Sequence, residues 1–280
     1  MTAPLTAFEN DGLRFRIHDW GPTDGRSLIA LHGFPQTALS WERVAARLTP
    51  AGVRLLAPEQ RGYSADARPS EVSAYTMDKL AGDVLALADA AGWDRFDVLG
   101  HDWGGALAWY LGSRHADRVR TVSVASTPHP AALWQSFKGP QALRSWYMLL
   151  FQLPWLPETL LGAAGGRLAS KLFAASGAED PATMARLLSD RTTASGAVNW
   201  YRAMRVKGAR AAGRVHVPSL YVWSDGDAAL GRQAAELTRN FVDGDYTFVE
   251  LSGSHWILDE RPDELAAAVL DHFERHPEGA

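Results

Sequence analysis

The sequence predicts an α/β fold in which a mostly parallel central sheet is flanked by helices and interrupted by an inserted helical cap. Short apolar runs typical of buried strands alternate with longer stretches of helical periodicity. This alternation stops at about residue 132, where the pattern becomes all-helical, and strand patterns resume after residue 212. We therefore expect a core of residues 1–131 and 213–280, with residues 132–212 forming a cap (lid).

The predicted strands of the core lie at regular intervals. They cover residues 27–31, 53–57, 96–99, 119–124, 219–223 and 246–251, and core helices are predicted over 76–91, 103–115 and 262–272. Because parallel strands point the same way, the loops that follow them meet at one edge of the sheet. Polar residues in these loops are therefore the candidates for a shared site.

Composition limits the class of protein. The chain has 280 residues, of which 46% are hydrophobic and 21% charged, as in ordinary soluble globular proteins. A formal charge of −4 gives no reason to expect nucleic acid or an anionic membrane as a partner. The absence of cysteine excludes disulfides and thiolate metal sites. Because the N-terminal residues do not resemble a signal peptide, we expect a cytoplasmic location.

The most informative motif is residues 100–105, Gly-His-Asp-Trp-Gly-Gly, between a predicted strand and a predicted helix. A nucleophile flanked by glycines at such a turn is exposed on a strained backbone. Here the central residue is Asp102 in place of the usual serine. A serine attacks acyl carbons, whereas a carboxylate can displace a group at a saturated carbon and form an ester on the enzyme. The alternative is that Asp102 is a loop residue that caps the following helix.

Two later positions are candidates to complete a catalytic set with Asp102. The first is an acid in the sequence Asp225-Gly226-Asp227, and the second is His255. The order of nucleophile, acid and histidine is that of hydrolases with a nucleophile elbow, and each candidate follows a predicted strand. Asp227 is the better candidate because it lies further out on its loop, whereas Asp225 suits a turn. His255 also fits an ordinary loop histidine, since the chain contains nine histidines.

Backbone donors for an anionic oxygen are expected beside Asp102. One is the N–H of Trp103, and the other is the N–H of Phe34 in a His-Gly-Phe-Pro turn after the first predicted strand. We expect His32 and Pro35 of this turn, together with Trp256, to line the substrate pocket.

Four motifs together resemble the epoxide hydrolase branch of the α/β-hydrolase superfamily, and the similarity extends over nearly the whole chain. They are residues 32–35 (His-Gly-Phe-Pro), 61–63 (Arg-Gly-Tyr), 100–105 and 253–256 (Gly-Ser-His-Trp). The resemblance implies the α/β-hydrolase fold, a small-molecule epoxide and water as substrates, and no metal or cofactor. One departure is Glu59, where the family usually has an aspartate that supports a turn, so local packing there is expected to differ.

The resemblance also implies two tyrosines in the cap that hydrogen-bond the epoxide oxygen. Residues 199–202, Asn-Trp-Tyr-Arg, are similar to the family's second tyrosine motif and identify Tyr201. Residues 145–147, Ser-Trp-Tyr, resemble the first motif less strictly and identify Tyr147. Without the resemblance, both would be ordinary aromatic residues of the cap.

The implied reaction has two steps. Asp102 attacks an epoxide carbon while the cap tyrosines protonate the leaving oxygen. His255, oriented by Asp227, then activates a water molecule that hydrolyses the ester, and a vicinal diol is released.

Two other functions are compatible with parts of this pattern. A haloalkane dehalogenase uses the same aspartate, histidine and acid, but it needs donors for a halide. Trp103 could supply one donor, whereas the position of the second holds Phe34, which has none, and fluoroacetate-type dehalogenases expect an arginine where this chain has Trp103. A non-catalytic ligand-binding member of the fold would lack one of the three catalytic residues, and none is missing. The natural substrate, the enantiopreference and the oligomeric state stay open.

Overall fold

The computed structural model describes residues 4–279 and contains one eight-stranded sheet. Its strands are β1 (Ala7–Asn10), β2 (Leu13–Trp20), β3 (Arg26–Leu31), β4 (Val53–Pro58), β5 (Phe96–His101), β6 (Val119–Ala125), β7 (Ser219–Ser224) and β8 (Tyr246–Leu251). The spatial order is β1-β2-β4-β3-β5-β6-β7-β8. Only the pairs β1–β2 and β2–β4 are antiparallel, so the mostly parallel sheet predicted from the sequence is confirmed.

Helices cover both faces of this sheet. In the described range they are α1 (Glu42–Leu48), α2 (Met77–Ala90), α3 (Trp103–Arg114), α4 (Pro130–Ser136), α5 (Gln141–Arg144), α6 (Trp146–Leu150), α7 (Leu156–Ala175), α8 (Pro181–Ser189), α9 (Arg191–Ala203), α10 (Arg232–Leu237), α11 (Ile257–Glu260) and α12 (Pro262–Arg275). None of these helices has both the length and the apolar character needed to cross a membrane. The expected cytoplasmic location stays a prediction.

Strand β3 shows how the sheet is covered on two sides. Leu28 and Ala30 belong to one buried cluster, which includes residues of α1 and α12. Ile29 and Leu31 belong to a second cluster, which includes residues of α2 and α3. Because successive side chains of a strand point to opposite faces, this division places one apolar core on each side of the sheet.

The structure adds an N-terminal antiparallel pair and helix α1, which the sequence analysis did not predict. In β2 the buried residues Phe15 and Ile17 alternate with exposed arginines. This two-residue period is the sequence signal of a half-buried strand, so β2 could have been predicted from the sequence.

Six helices, α4 to α9, lie between β6 and β7, and we call residues 130–203 the helical insertion. The predicted helical pattern through residue 212 is wrong for its last part, because residues 204–218 form turns and irregular chain. Gly208 has a φ of +84°, which a helix does not accommodate. The chain returns to the sheet through this segment.

Candidate active site

Asp102 lies at the sharp turn between β5 and α3. Its backbone has φ 51° and ψ −121°, an unfavourable region for a residue with a side chain. Glycines make the turn possible: a Cβ on Gly100 would lie 2.2 Å from the carbonyl oxygen of Gly104. A Cβ on Gly104 would lie 2.0 Å from the carbonyl oxygen of Leu31. The backbone therefore holds Asp102 at the carboxyl edge of the sheet, as the motif predicts.

The side chain of Asp102 points away from the helix that follows it. It makes no capping hydrogen bond to α3, which removes the alternative interpretation as a helix cap. Its Oδ1 accepts a 2.6 Å hydrogen bond from the N–H of Phe34. Its Oδ2 lies 3.6 Å from Nε2 of His255. The two carboxylate oxygens thus have different partners, one a backbone amide and the other an imidazole.

The turn after β3 approaches Asp102 closely because it contains Gly33. A Cβ on Gly33 would lie 2.3 Å from the Cβ of Asp102. Trp103 is the first residue of α3, so its N–H has no partner within that helix. The N–H of Phe34 therefore binds the Asp102 carboxyl group, and the use of the Trp103 N–H as a second oxyanion donor stays a prediction.

His255 and Asp227 form a hydrogen-bonded pair. The His255 Nδ1 donates to Oδ2 of Asp227 over 2.7 Å. The other carboxylate oxygen of Asp227 accepts the N–H groups of Ala229 and Leu230 at 2.7 and 2.9 Å. Asp225 instead accepts hydrogen bonds from the loop after β8. The structure therefore brings Asp227 to the histidine and leaves Asp225 in a turn.

Asp102 and His255 each stabilise the charged form of the other. Burial disfavours the charged form of His255, but Asp227 and Asp102 outweigh this effect and raise the His255 pKa from 6.5 to about 10. Burial also acts to raise the pKa of Asp102, yet its contact with His255 holds that pKa below the usual value. The resting site consequently holds an ionised Asp102 next to a protonated His255.

Tyr147 and Tyr201 come from helices α6 and α9 of the helical insertion. Their ring centroids are 6.0 Å apart, and the edge of Tyr201 also packs against Trp103 at 4.9 Å. The side chain of Gln152 joins the two helices by donating to the backbone carbonyl of Tyr201 at 3.0 Å. Burial raises the pKa of both phenols above their usual value, so both keep their proton at neutral pH.

A cavity of about 370 Å³ connects Asp102 with both tyrosines. Its lining is mostly aromatic and aliphatic, and exposed side chains such as Trp134 and Met204 lie at its outer end. Tyr110 and Arg210 also line the cavity. An apolar chamber with a few polar groups at the bottom suits a small, mostly apolar organic ligand.

The expectation that His32, Pro35 and Trp256 line the substrate pocket is wrong for this cavity, since none of them is among its lining residues. His32 is fully buried, and its Nε2 accepts the N–H of Gln60 at 3.2 Å. Pro35 is buried in the same turn. Trp256 is buried against the helical insertion, where its indole N–H donates to the hydroxyl of Ser176 at 3.1 Å. The polar side-chain groups of His32 and Trp256 form hydrogen bonds within the protein, and Pro35 is buried in its turn. These three residues therefore stabilise loops rather than line the cavity.

His101 is a residue whose part in the site the sequence analysis missed. Its Nε2 donates to the backbone carbonyl of His255 at 2.9 Å, and Ser126 donates to the same carbonyl at 2.9 Å. Burial lowers the His101 pKa to about 4, and its Nδ1 lies 2.9 Å from Oε1 of Gln36. These contacts fix the backbone of His255. The sequence shows His101 next to Asp102 but not the carbonyl that it binds.

Glu59, the departure from the family pattern, still supports a turn. Its side chain accepts the N–H of Ala38 at 3.3 Å, and its other oxygen lies 4.0 Å from Nε2 of His32. Burial raises the Glu59 pKa to about 7. The longer carboxylate thus reaches the segment after the Phe34 turn without entering the cavity.

Comparisons with known proteins agree with this architecture. Residues 26–262 match the family described as the alpha/beta hydrolase fold. The chain is 32% identical to an AB hydrolase superfamily protein of Bacillus subtilis, over 94% of this chain and 95% of the relative. It is 30% identical to epoxide hydrolase A of Mycobacterium tuberculosis, again over 94% of this chain and 95% of the relative.

Solved structures give the same result. One described as a novel epoxide hydrolase of the α/β-hydrolase superfamily from hot-environment metagenomes has 30% identity and a TM-score of 0.81, covering 98% of this chain and 99% of its own. Epoxide hydrolase A of Mycobacterium thermoresistibile has 26% identity and a TM-score of 0.81, covering 97% and 98%. The chain therefore belongs to the α/β-hydrolase superfamily, in its epoxide hydrolase branch.

Proposed function

We propose that this enzyme opens epoxides to vicinal diols through a covalent ester on Asp102. The observation that carries the proposal is that an ionised carboxylate and two protonated tyrosines line one apolar cavity. Relatives at 30% identity are known as epoxide hydrolases, which supports the same reaction.

In the first step, Oδ2 of Asp102 attacks an epoxide carbon. Its Oδ1 is already bound by the N–H of Phe34, so Oδ2 is the freer nucleophile. A C–O bond forms between Asp102 and the substrate as the epoxide C–O bond breaks. The epoxide oxygen receives a proton from Tyr147 or Tyr201, which leaves a tyrosinate, and the second phenol stabilises the developing charge by a hydrogen bond.

The second step hydrolyses the ester. Formation of the ester removes the negative charge of Asp102, which is one of the charges that raise the His255 pKa. The pKa of His255 consequently falls, and the proton that it gives up reprotonates the tyrosinate left by the first step. The neutral imidazole then takes a proton from water, while Asp227 stabilises the imidazolium that results. The hydroxide adds to the ester carbonyl and the N–H groups of Phe34 and Trp103 hold the oxyanion. Its collapse breaks the ester C–O bond, and the leaving alkoxide takes up a proton to give the diol and the ionised Asp102.

In this mechanism, two domains supply different catalytic groups. Residues 1–131 and 213–280 supply Asp102, Asp227 and His255 from loops at the carboxyl edge of the sheet. Residues 132–212 act as the cap that supplies the tyrosines. The cavity between these groups supports this division, since its lining residues come from both parts of the chain.

A paired substrate assay tests the function. We expect diol formation from styrene oxide and no bromide release from a short bromoalkane. The Asp102→Asn variant provides the background for both reactions. Bromide release without diol formation would identify a dehalogenase, and binding of styrene oxide without either product would identify a non-catalytic ligand-binding protein.

A further inference from the structure

The cavity has a charged group at each end. Among its lining residues only Asp102 and Arg210 carry a formal charge, and all the others are apolar or uncharged. Asp102 is at the reacting end with the tyrosines. Arg210 lies at the outer end, where Trp134 and Met204 are exposed. A ligand that filled the cavity would thus meet a carboxylate nucleophile at one end and a guanidinium group at the other.

Arg210 is not neutralised by its surroundings. Its one ion contact in the described part of the chain is a long one, 3.9 Å to Oδ1 of Asp78. That oxygen already accepts a 2.5 Å hydrogen bond from the hydroxyl of Tyr110. The Arg210 side chain is 67% exposed, so most of its donors point to solvent. The guanidinium therefore has donors available for a ligand.

The segment that carries Arg210 is strongly basic. Residues 191–224 contain no aspartate or glutamate, and the stretch after α9 contains Arg205 and Lys207 as well as Arg210. This contrasts with the chain as a whole, whose formal charge is −4. We expect this excess of basic residues near Arg210 to favour anionic ligands over neutral or cationic ones.

We propose that Arg210 is a specificity-determining residue that binds a carboxylate of the substrate, carried on an apolar chain remote from the epoxide ring. The inference rests on the proposed epoxide hydrolase function and adds the class of substrate. A guanidinium suits this role because its planar donors match the two oxygens of a carboxylate. The apolar walls contact the chain between the two groups. Because most of the Arg210 side chain is exposed to solvent, we expect its ion pair with the substrate to add only modestly to the binding free energy. The effect should appear as a lower KM for the anionic substrate rather than as a higher kcat.

The test compares two substrates that differ in the charge of one end, the terminal epoxide of undecenoic acid and the terminal epoxide of the matching undecenol. The readout is the ratio of kcat/KM for the acid to kcat/KM for the alcohol. We expect Arg210→Gln to lower this ratio by roughly two- to fivefold through KM for the acid, as for an exposed ion pair. Arg210→Glu should lower it further, and added salt should reduce the ratio in the wild-type enzyme.

Arg205→Gln is the matched control, because it removes the same charge from the same segment at a residue that does not line the cavity. We expect this variant to keep the wild-type ratio. An equal drop in Arg205→Gln and Arg210→Gln would overturn the proposal and assign the effect to general charge steering. An unchanged ratio in Arg210→Glu would also overturn it. If the wild-type enzyme hydrolyses styrene oxide but neither long-chain epoxide, the proposal on Arg210 fails, whereas an enzyme that hydrolyses none of the three epoxides would overturn the proposed function itself.

Discussion

At the scale of single residues, the proposed ester on Asp102 predicts which oxygen atoms appear in the diol after one turnover. If water attacks the ester at its acyl carbon, one carboxylate oxygen leaves in the product. A single turnover in ¹⁸O-water with enzyme in excess should then give unlabelled diol, with the label in the peptide that contains Asp102. A diol that carries one ¹⁸O atom in that first turnover would show direct attack of water and leave Asp102 at most a base.

The role of His255 can be separated from that of Asp102. Replacing His255 with Gln removes the base for the second step but leaves Asp102 able to attack the epoxide. We expect a stoichiometric covalent adduct on Asp102 in intact-protein mass spectra and almost no turnover. Asp225→Asn is the control, since Asp225 is in a turn of the same loop as Asp227. Rapid turnover by His255→Gln would place the base elsewhere.

The two phenols are predicted to act as a coupled pair. Tyr147→Phe and Tyr201→Phe should each keep the fold and lower kcat by roughly ten- to a hundredfold, since the remaining phenol still donates a proton. The double variant should be nearly inactive, because the effects of removing two donors that act together are not additive. Tyr110→Phe is a control within the cavity, since its hydroxyl is engaged by Asp78. Full activity in Tyr201→Phe would remove that residue from the mechanism.

At the scale of elements, the sequence patterns predicted most of the sheet. Strand β8 has the predicted bounds, and β5 continues two residues further than predicted, to His101. Strand β5 is buried along its whole length, as expected for a central parallel strand covered on both faces, whereas β8 is an edge strand whose residues are partly buried or exposed. The burial of His32 could not be predicted, because its partner Gln60 follows a different strand. The tyrosines needed the family resemblance, since helical periodicity alone does not separate a proton donor from a core aromatic residue.

The turn between β5 and α3 is an element whose glycines can be tested. Gly104→Ala would place a Cβ 2.0 Å from the backbone oxygen of Leu31, which a side-chain shift cannot relieve. We expect a loss of about 1–3 kcal/mol or more in the free energy of unfolding, together with lost activity. Gly82→Ala in α2 is the matched control, since the nearest atom lies at 3.6 Å. That change should stabilise the protein by up to about 1 kcal/mol. Urea unfolding of both variants compares them, and equal stabilities would refute the packing argument.

At the scale of the whole molecule, buried histidines make stability depend on pH. Burial lowers the pKa of four histidines from 6.5 to about 4, namely His32, His101, His129 and His272. Their folded-state pKa values lie below the unfolded ones, so the unfolded chain binds more protons between these limits. Each histidine therefore contributes stability above pH 6.5 that is lost as the pH falls toward 4. Glu59 and Asp259, whose pKa values burial raises to about 7 and about 6, act in the opposite direction.

His272 isolates this effect because it is fully buried and neither of its ring nitrogens has a hydrogen-bond partner. A leucine can therefore replace it without breaking a hydrogen bond. Protonation of the unfolded chain should cost the wild-type protein about 2 kcal/mol at pH 5 through this residue alone, and His272→Leu should be spared that loss. Urea unfolding at pH 7 and pH 5 should thus show the variant gaining stability relative to the wild type as the pH falls. A difference between wild type and His272→Leu that is the same at both pH values would mean that His272 titrates normally in the folded protein.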